Sequence, residues 1–406
     1  MSSTTRSDIR HSTMLRGLLL LSSAAVIWMN ARTLGAEGQG FVALFGLGML
    51  TISAAGAFIA GGAVVYLQQR VDLRLVWWPG MLWLAAVAAG VGALAWRMNW
   101  LPRLWLPEIC LAGFLQGAII FHAQLGLACK RVKLHNWLTS GQTALLALIL
   151  LPTYFGVGWQ TPDAWATCLE VTLLLMFFAS LSVFRGLGAP VLRLDRTAMG
   201  LLWHYGRFAA SGGLLQMWTN RANISLLERA SSTGLTGAGV YAVAYYGLEA
   251  IWSFSRGLAP VLHSRIAGMS SGEGGSAQRK LTLRFARMTM LITSPLAVLA
   301  VVLPDSLYAW VFGFPGIAPV LRGLFPLMLT GALCGVLAHH LSGIGAHKWN
   351  AGTSAAGLLA LLLTAPFTIE AWGATGAAVA ASFAGTVQLA GLIVGFRRTT
   401  NVRPAP

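Results

Sequence analysis

The sequence predicts an all-α polytopic membrane protein of about twelve transmembrane helices, in two parallel-repeat six-helix halves around a central cavity. Three observations carry this expectation. The 406 residues are 56% hydrophobic and only 10% charged, whereas a soluble globular chain carries about 25% charged residues. So little charge cannot clothe a water-soluble body. The apolar residues gather in runs of about 18 or more, enough at ~1.5 Å per residue to cross ~30 Å of hydrocarbon. Finally, features of the first half recur in order in the second.

Taken in order, span 1 covers about 14–30, behind a basic start at Arg6, Arg10 and Arg16. No convincing small-residue cleavage site follows its apolar stretch before Asn30, so it reads as an uncleaved span and not as a signal peptide. A glycine-rich link (Gly35, Gly38, Gly40) leads to span 2, about 41–66. Spans 3 (about 76–96), 4 (105–129), 5 (135–155) and 6 (164–184) complete the first half across short polar links. The segment from Gly186 to Arg196 breaks helicity at Gly188 and Pro190 and reads as the linker. The halves are accordingly 1–190 and 191–406. Spans 7 (about 198–228), 8 (238–263), 9 (286–303), 10 (318–341), 11 (350–369) and 12 (374–396) form the second half. The longest polar stretch, about 264–285, is too small and too Gly/Ser-rich for a domain. Its Gly272, Gly274 and Gly275 lack P-loop spacing before Lys280 and predict a flexible loop.

Basic residues set the orientation. With the N-terminus inside, twenty Lys and Arg fall in inner segments, including Arg70, Arg74, Lys130, Arg131, Lys133, Arg185 and Lys348; four fall outside, Arg32, Arg97, Arg103 and Arg229. This asymmetry predicts a multi-pass protein with both termini cytoplasmic. The net charge of +16 then reads as topology and attraction to anionic phospholipid, not as a nucleic-acid surface. Cys110, Cys129, Cys168 and Cys334 stand singly in apolar runs, so no metal or redox site is expected, and no cofactor either.

The duplication is specific in its order. Leu111, Gly113, Leu115, Gly117, His122 and Lys130 recur 218 residues later as Leu329, Gly331, Leu333, Gly335, His340 and Lys348. Asn136, Thr139 and Ser140 recur at an offset of 214 as Asn350, Thr353 and Ser354. Gly35, Gly38, Gly40 and Ala43 recur at an offset of 199 as Gly234, Gly237, Gly239 and Ala242. Span 4 therefore maps on span 10, span 5 on span 11, and the 1–2 link on the 7–8 link. Six spans separate each pair, so equivalent spans run in the same direction, an architecture secondary transporters use with the substrate site between repeats.

Charge inside spans costs about 2.5–3.5 kcal/mol per residue on insertion scales and is retained where it meets a cavity or a partner. Span 7 places Arg207, Ser211, Leu214, Trp218, Arg221, Ser225 and Glu228 on one face by steps of four and three. Span 8 does the same with Tyr241, Tyr245, Glu249, Ser253 and Arg256. Spans 2, 3, 5, 11 and 12 carry no charge. Guanidinium groups suit a diphosphate, because the planar fork bonds bidentately and stays charged. The alternative is that these charges pair with one another, or that Arg207 and Arg256 snorkel to headgroups. Glu249 is either a coupling-ion or proton site or a counter-charge to the arginines. His122, His339 and His340, near inner helix ends, read better as interface packing than as metal ligands.

At these residues the sequence resembles the polysaccharide repeat-unit flippases of the multidrug/oligosaccharidyl-lipid/polysaccharide exporter superfamily. Three segments carry the likeness: Arg32-Thr33-Leu34-Gly35 on to Gly38, Gly40 and Phe41; Tyr205 through Asn220, Gly237, Gly239, Tyr241 and Tyr245 to Arg265; and Leu321, Leu324 and Pro326 with the late Gly373, Gly376 and Ala377. The resemblance covers most of the chain but is diffuse. It implies a non-enzymatic flippase of the bacterial inner membrane, moving undecaprenyl-diphosphate-linked oligosaccharide for O-antigen, capsule or exopolysaccharide synthesis by alternating access. It also implies other polysaccharide-assembly membrane proteins as partners. Carried over as substrate-binding residues are Arg207, Arg221 and Arg256, with Asn220, Tyr241, Tyr245 and Arg32, and Glu249 as coupling-ion site or counter-charge. The chain departs from the similar lipid II flippases, which have fourteen spans. A drug exporter of the same superfamily is the nearest alternative, although it would be expected to line its cavity with carboxylates. A membrane glycosyltransferase or polymerase fits less well, since the outer links are short and carry no acid pair.

Overall fold

The computed structural model describes residues 3–400, apart from 69, 194 and 270–273. Among these residues there is helix and no strand. Eight helical stretches are long and apolar enough to cross a membrane. Two of them, Gly17–Tyr66 and His347–Thr399, run to 50 and 53 residues. At ~1.5 Å per residue each would be more than twice as long as a bilayer core is thick, so each is two spans. The break falls at Gly35 (φ 67°) in the first and at Gly373 (φ 56°) in the second. Spans 1–2 and 11–12 are therefore helical pairs joined by a glycine kink, where links of ten residues (31–40) and four residues (370–373) were expected.

The remaining spans are separate helices: span 3 Trp77–Met98, span 4 Leu106–Ala128, span 5 Val132–Pro152, span 6 Pro162–Ser180, span 9 Gly274–Val302 and span 10 Ile317–Gly343. Spans 7 (Arg196–Arg229) and 8 (Gly234–Ala267) are 34 residues each. They are long enough to cross but are not among the eight apolar stretches, and they are the two helices whose sequence carries the charged seam. All twelve predicted spans are thus helical in this multi-pass membrane protein. Span 9 begins about twelve residues earlier than its apolar run, because Gln278, Arg279 and Lys280 continue the helix beyond its apolar part. The loop expected at Gly272 lies outside the described residues; Gly274 and Gly275, expected in the same loop, open the helix of span 9. A short helix, Asp305–Phe312, occupies the 9–10 link, and Asp305 accepts hydrogen bonds from the Gly316 and Ala318 amides that open span 10 (2.8 and 2.9 Å).

The chain divides into two compact units, Met1–Leu214 and Leu215–Pro406. The first part of span 7 therefore packs with the N-terminal unit. Gly206 lies so close to the Phe58 carbonyl of span 2 that a Cβ would overlap it, and Trp203 packs on Phe58 and Trp83.

Each unit, considered alone, repeats the other's internal joints. Gly35 and Gly234 both adopt a positive φ, 67° and 56°, which an L side chain rarely tolerates. Three residues on, a Cβ at Gly38 or Gly237 would overlap the side chain four residues back, Leu34 or Thr233. Gly113 of span 4 admits Ile52 of span 2, and Gly331 of span 10 admits Trp252 of span 8. His122, fully buried, accepts from Trp77 Nε1 of span 3 (2.8 Å) and bonds Ser180 at the end of span 6 (2.6 Å). The Ser180 hydroxyl donates onward to the Phe177 carbonyl, so His122 is neutral with its proton on Nδ1. His340, equally buried, bonds Thr282 of span 9 (2.7 Å) and packs edge-on against Phe396 of span 12. The two histidines thus tie equivalent spans together and serve as interface packing. At the next corner His135 donates to the Ala123 carbonyl (3.1 Å) and Asn350 to the Ala338 carbonyl (2.9 Å). The structural partner of Asn350 is therefore His135, one residue before the Asn136 that the sequence offset selects, because the corner is built at an offset of 215.

Candidate functional site

Three charged residues of the seam, Arg221, Glu249 and Arg256, meet on span 8. Glu249 accepts from Arg221 Nη2 at 2.8 Å through one carboxylate oxygen and from Arg256 Nη2 at 3.4 Å through the other. The side chains of Arg221 and Glu249 are 15% and 21% exposed, whereas that of Arg256 is 56% exposed. Two cations thus share one anion, one of them inside the unit and the other at its surface. Arg221 is also covered by aromatic faces, with its guanidinium carbon 5.9 Å from the Tyr245 ring centroid and 5.7 Å from that of Tyr246. Arg256 lies 5.7 Å from the Trp252 ring centroid.

Local sequence explains the convergence. Residues 245, 249, 252 and 256 follow steps of four, three and four, which place them on one helical face. Tyr241 and Tyr245 are fully buried and stack at 5.9 Å. The Tyr241 hydroxyl accepts from Asn223 Nδ2 (3.2 Å), which also donates to the Ala377 carbonyl (2.8 Å). These tyrosines form the packed back of the ion cluster. Asn220 stands in a separate, uncharged cluster. There Gln216 donates to Asn220 Oδ1 (3.1 Å), Gln216 and Gln388 exchange amide hydrogen bonds, and Ser354 donates to Gln216 Oε1 (3.0 Å). Thr219 donates to the Ser354 carbonyl (3.1 Å). This cluster fastens span 7 to spans 11 and 12. Arg207 and Arg32 are exposed and lie in the N-terminal unit, whereas both clusters belong to the C-terminal one.

Trp252, Tyr246, Gln216, Ser354 and Gln388 were not among the expected site residues. Trp252 shares the face of Glu249 and Arg256, so its spacing was a usable signal. Gln216, Ser354 and Gln388 had none, because neutral polar residues in spans 7, 11 and 12 carry no charge to mark them. Among the described residues, no three His, Cys, Asp or Glu side chains converge as a metal site.

No family model matches the chain, and no curated protein matches it in sequence. Solved structures match its shape. An inward-facing multidrug resistance MATE transporter of the MOP superfamily aligns with a TM-score of 0.74 at 14% identity, over 95% of this chain and 94% of that one. The lipid II flippase MurJ, in an inward closed conformation, aligns with a TM-score of 0.70 at 12% identity, over 96% and 87%. A point mutant of the Vibrio cholerae MATE transporter VcmN aligns with a TM-score of 0.64 at 12% identity, over 99% of both chains. The chain has the fold of MOP-superfamily transporters. At these identities the likeness speaks for the fold, and the substrate must be argued from the residues.

Proposed function

We propose that this protein is a transporter that flips undecaprenyl-diphosphate-linked oligosaccharide from the inner to the outer leaflet of the bacterial inner membrane, by alternating access. The observation that carries this reading is the excess of arginine over acid in the span 7–8 seam, with Arg256 presenting an exposed guanidinium. A guanidinium at the edge of a membrane unit suits a diphosphate headgroup, which it grips bidentately. Arg207 and Arg32 are offered as further cationic contacts, and Arg221, Asn220, Tyr241 and Tyr245 as the frame behind them. The charge asymmetry of the links supports cytoplasmic termini. Anionic phospholipid and other polysaccharide-assembly membrane proteins are the partners proposed.

The likeness to multidrug transporters supports a second reading, export of a small molecule. Here Glu249, the seam carboxylate of span 8, is already engaged by arginine, which argues against a cationic drug. Proteoliposomes separate the two. With a fluorescent polyprenyl-diphosphate oligosaccharide in one leaflet, the proposal expects its appearance in the other only when the protein is present. Absence of flipping together with efflux of a cationic dye would favour the drug exporter.

A further inference from the structure

Resting on the reading of Arg256 as a headgroup contact, we infer that Trp252 is its positioning residue, a fixed indole shelf that holds the guanidinium in the seam. Arg256 is a long, exposed side chain, and such a chain left to itself loses considerable rotamer freedom when it grips a ligand. In this structure it lies over the Trp252 ring at 5.7 Å and its Nη2 reaches Glu249 at 3.4 Å, so it is held from two sides before any ligand arrives. The shelf itself is immobile. Trp252 is 6% exposed, its Nε1 donates to the Met328 carbonyl at 2.9 Å, and its ring meets Tyr245 edge-on at 6.2 Å.

Gly331 completes the arrangement. The outer edge of the indole lies where a Cβ at position 331 would be, so any other residue displaces the ring. Tyr245 is shared, since it backs both the Trp252 ring and the Arg221 guanidinium. The duplicated glycine in the first unit, Gly113, admits an aliphatic side chain, Ile52, at the same place. The shelf is therefore a specialisation of the C-terminal unit and not a requirement of the repeat. It gives the two arginines distinct tasks: Arg221 is the internal counter-charge of Glu249, and Arg256 is the group held out to an anion.

The test is a double-mutant cycle on the full-length protein in nanodiscs, with farnesyl diphosphate as the probe and calorimetry as the readout. Arg256→Ala should weaken binding about tenfold or more, as expected for losing a charge-assisted contact. Trp252→Met removes the π face but keeps bulk, and should weaken binding about two- to fivefold. Trp252→Phe keeps a face and should restore most of that loss. Gly331→Ala, which leaves the indole chemically intact but shifts it, should resemble Trp252→Met. In the Arg256→Ala background both Trp252→Met and Gly331→Ala should have no further effect. Equal weakening by Trp252→Met with and without Arg256 would overturn the shelf and leave the headgroup reading standing. Parent-like binding by Arg256→Ala would overturn both.

Discussion

At the scale of single residues, the site is a matter of how one carboxylate serves two guanidinium groups. Glu249 and Arg221 are mostly withdrawn from solvent and joined at 2.8 Å. Removing one partner of such a pair leaves an uncompensated buried charge. Glu249→Gln should therefore destabilise the protein by about 2–4 kcal/mol, read as a lower thermal midpoint in detergent and lower abundance in the membrane. Unchanged stability with lost dependence on an imposed ion gradient would instead make Glu249 a coupling site. Arg256, at 56% exposure and a longer 3.4 Å from the carboxylate, should behave differently. Arg256→Ala should cost no more than about 1 kcal/mol of stability yet abolish complementation of a flippase-null strain. Arg256→Lys should restore only part of it, because an ammonium lacks the bidentate fork. Full complementation by a well-expressed Arg256→Ala protein would remove Arg256 from the substrate site.

At the scale of elements, small residues decide how helices meet. The kink at Gly35 lets spans 1 and 2 follow each other without a loop, and Gly234 opens span 8 with a positive φ as well. A side chain there forces a left-handed residue, at about 1–2 kcal/mol. Gly234→Ala should accordingly lower the melting temperature in detergent. Gly335→Ala makes the matched control, since a Cβ there meets nothing within 4 Å, and it should be neutral or slightly stabilising. If the two variants melt alike, the positive φ at Gly234 has no energetic consequence. The buried histidines are the other joint. His122 and His340 each bind a hydroxyl on a neighbouring span, and each is packed among aromatic rings. An imidazole suits the first of these positions because His122 donates to Ser180 and accepts from Trp77 in one plane.

At the scale of the whole molecule, a parallel repeat makes a statement about sidedness. The corners between spans 4 and 5 and between spans 10 and 11 are built alike, each clasped by a side chain donating to a carbonyl twelve residues earlier. They should face the same compartment. Reporter fusions after Lys130 and after His347 should both report the cytoplasm, and fusions after Gly158 and Gly313 should both report the opposite side. Opposite sidedness for the two corners would refute the parallel relation. Asymmetry between the units matters equally. The ion cluster belongs to the C-terminal unit, while the N-terminal unit's interior contact between span 1 and the turn that follows span 5 is neutral, Tyr154 donating to Asn30 at 3.0 Å. The repeated joints supply the frame, and among the described residues this charged face lies in the C-terminal unit.

The sequence by itself determined the membrane class, the spans and the repeat. Each is written in local or periodic features: apolar runs set by bilayer thickness, basic residues distributed between links, and glycines required wherever the backbone turns sharply or helices touch. It also marked Arg221, Glu249 and Arg256 as one seam, because steps of three and four assign a helical face. Tertiary structure alone decided which cation is enclosed and which is presented. Spacing says which residues share a face but not which neighbouring helix covers it. Arg221 is enclosed because the Tyr245 and Tyr246 rings of the adjoining span lie over it, and Arg256 is presented because Trp252 fills the space that Gly331, two spans further along the chain, leaves open. The Gln216–Gln388 pair, 172 residues apart, was illegible for the same reason. Neutral amides give no periodic signal, and their partnership exists only once the helices are packed.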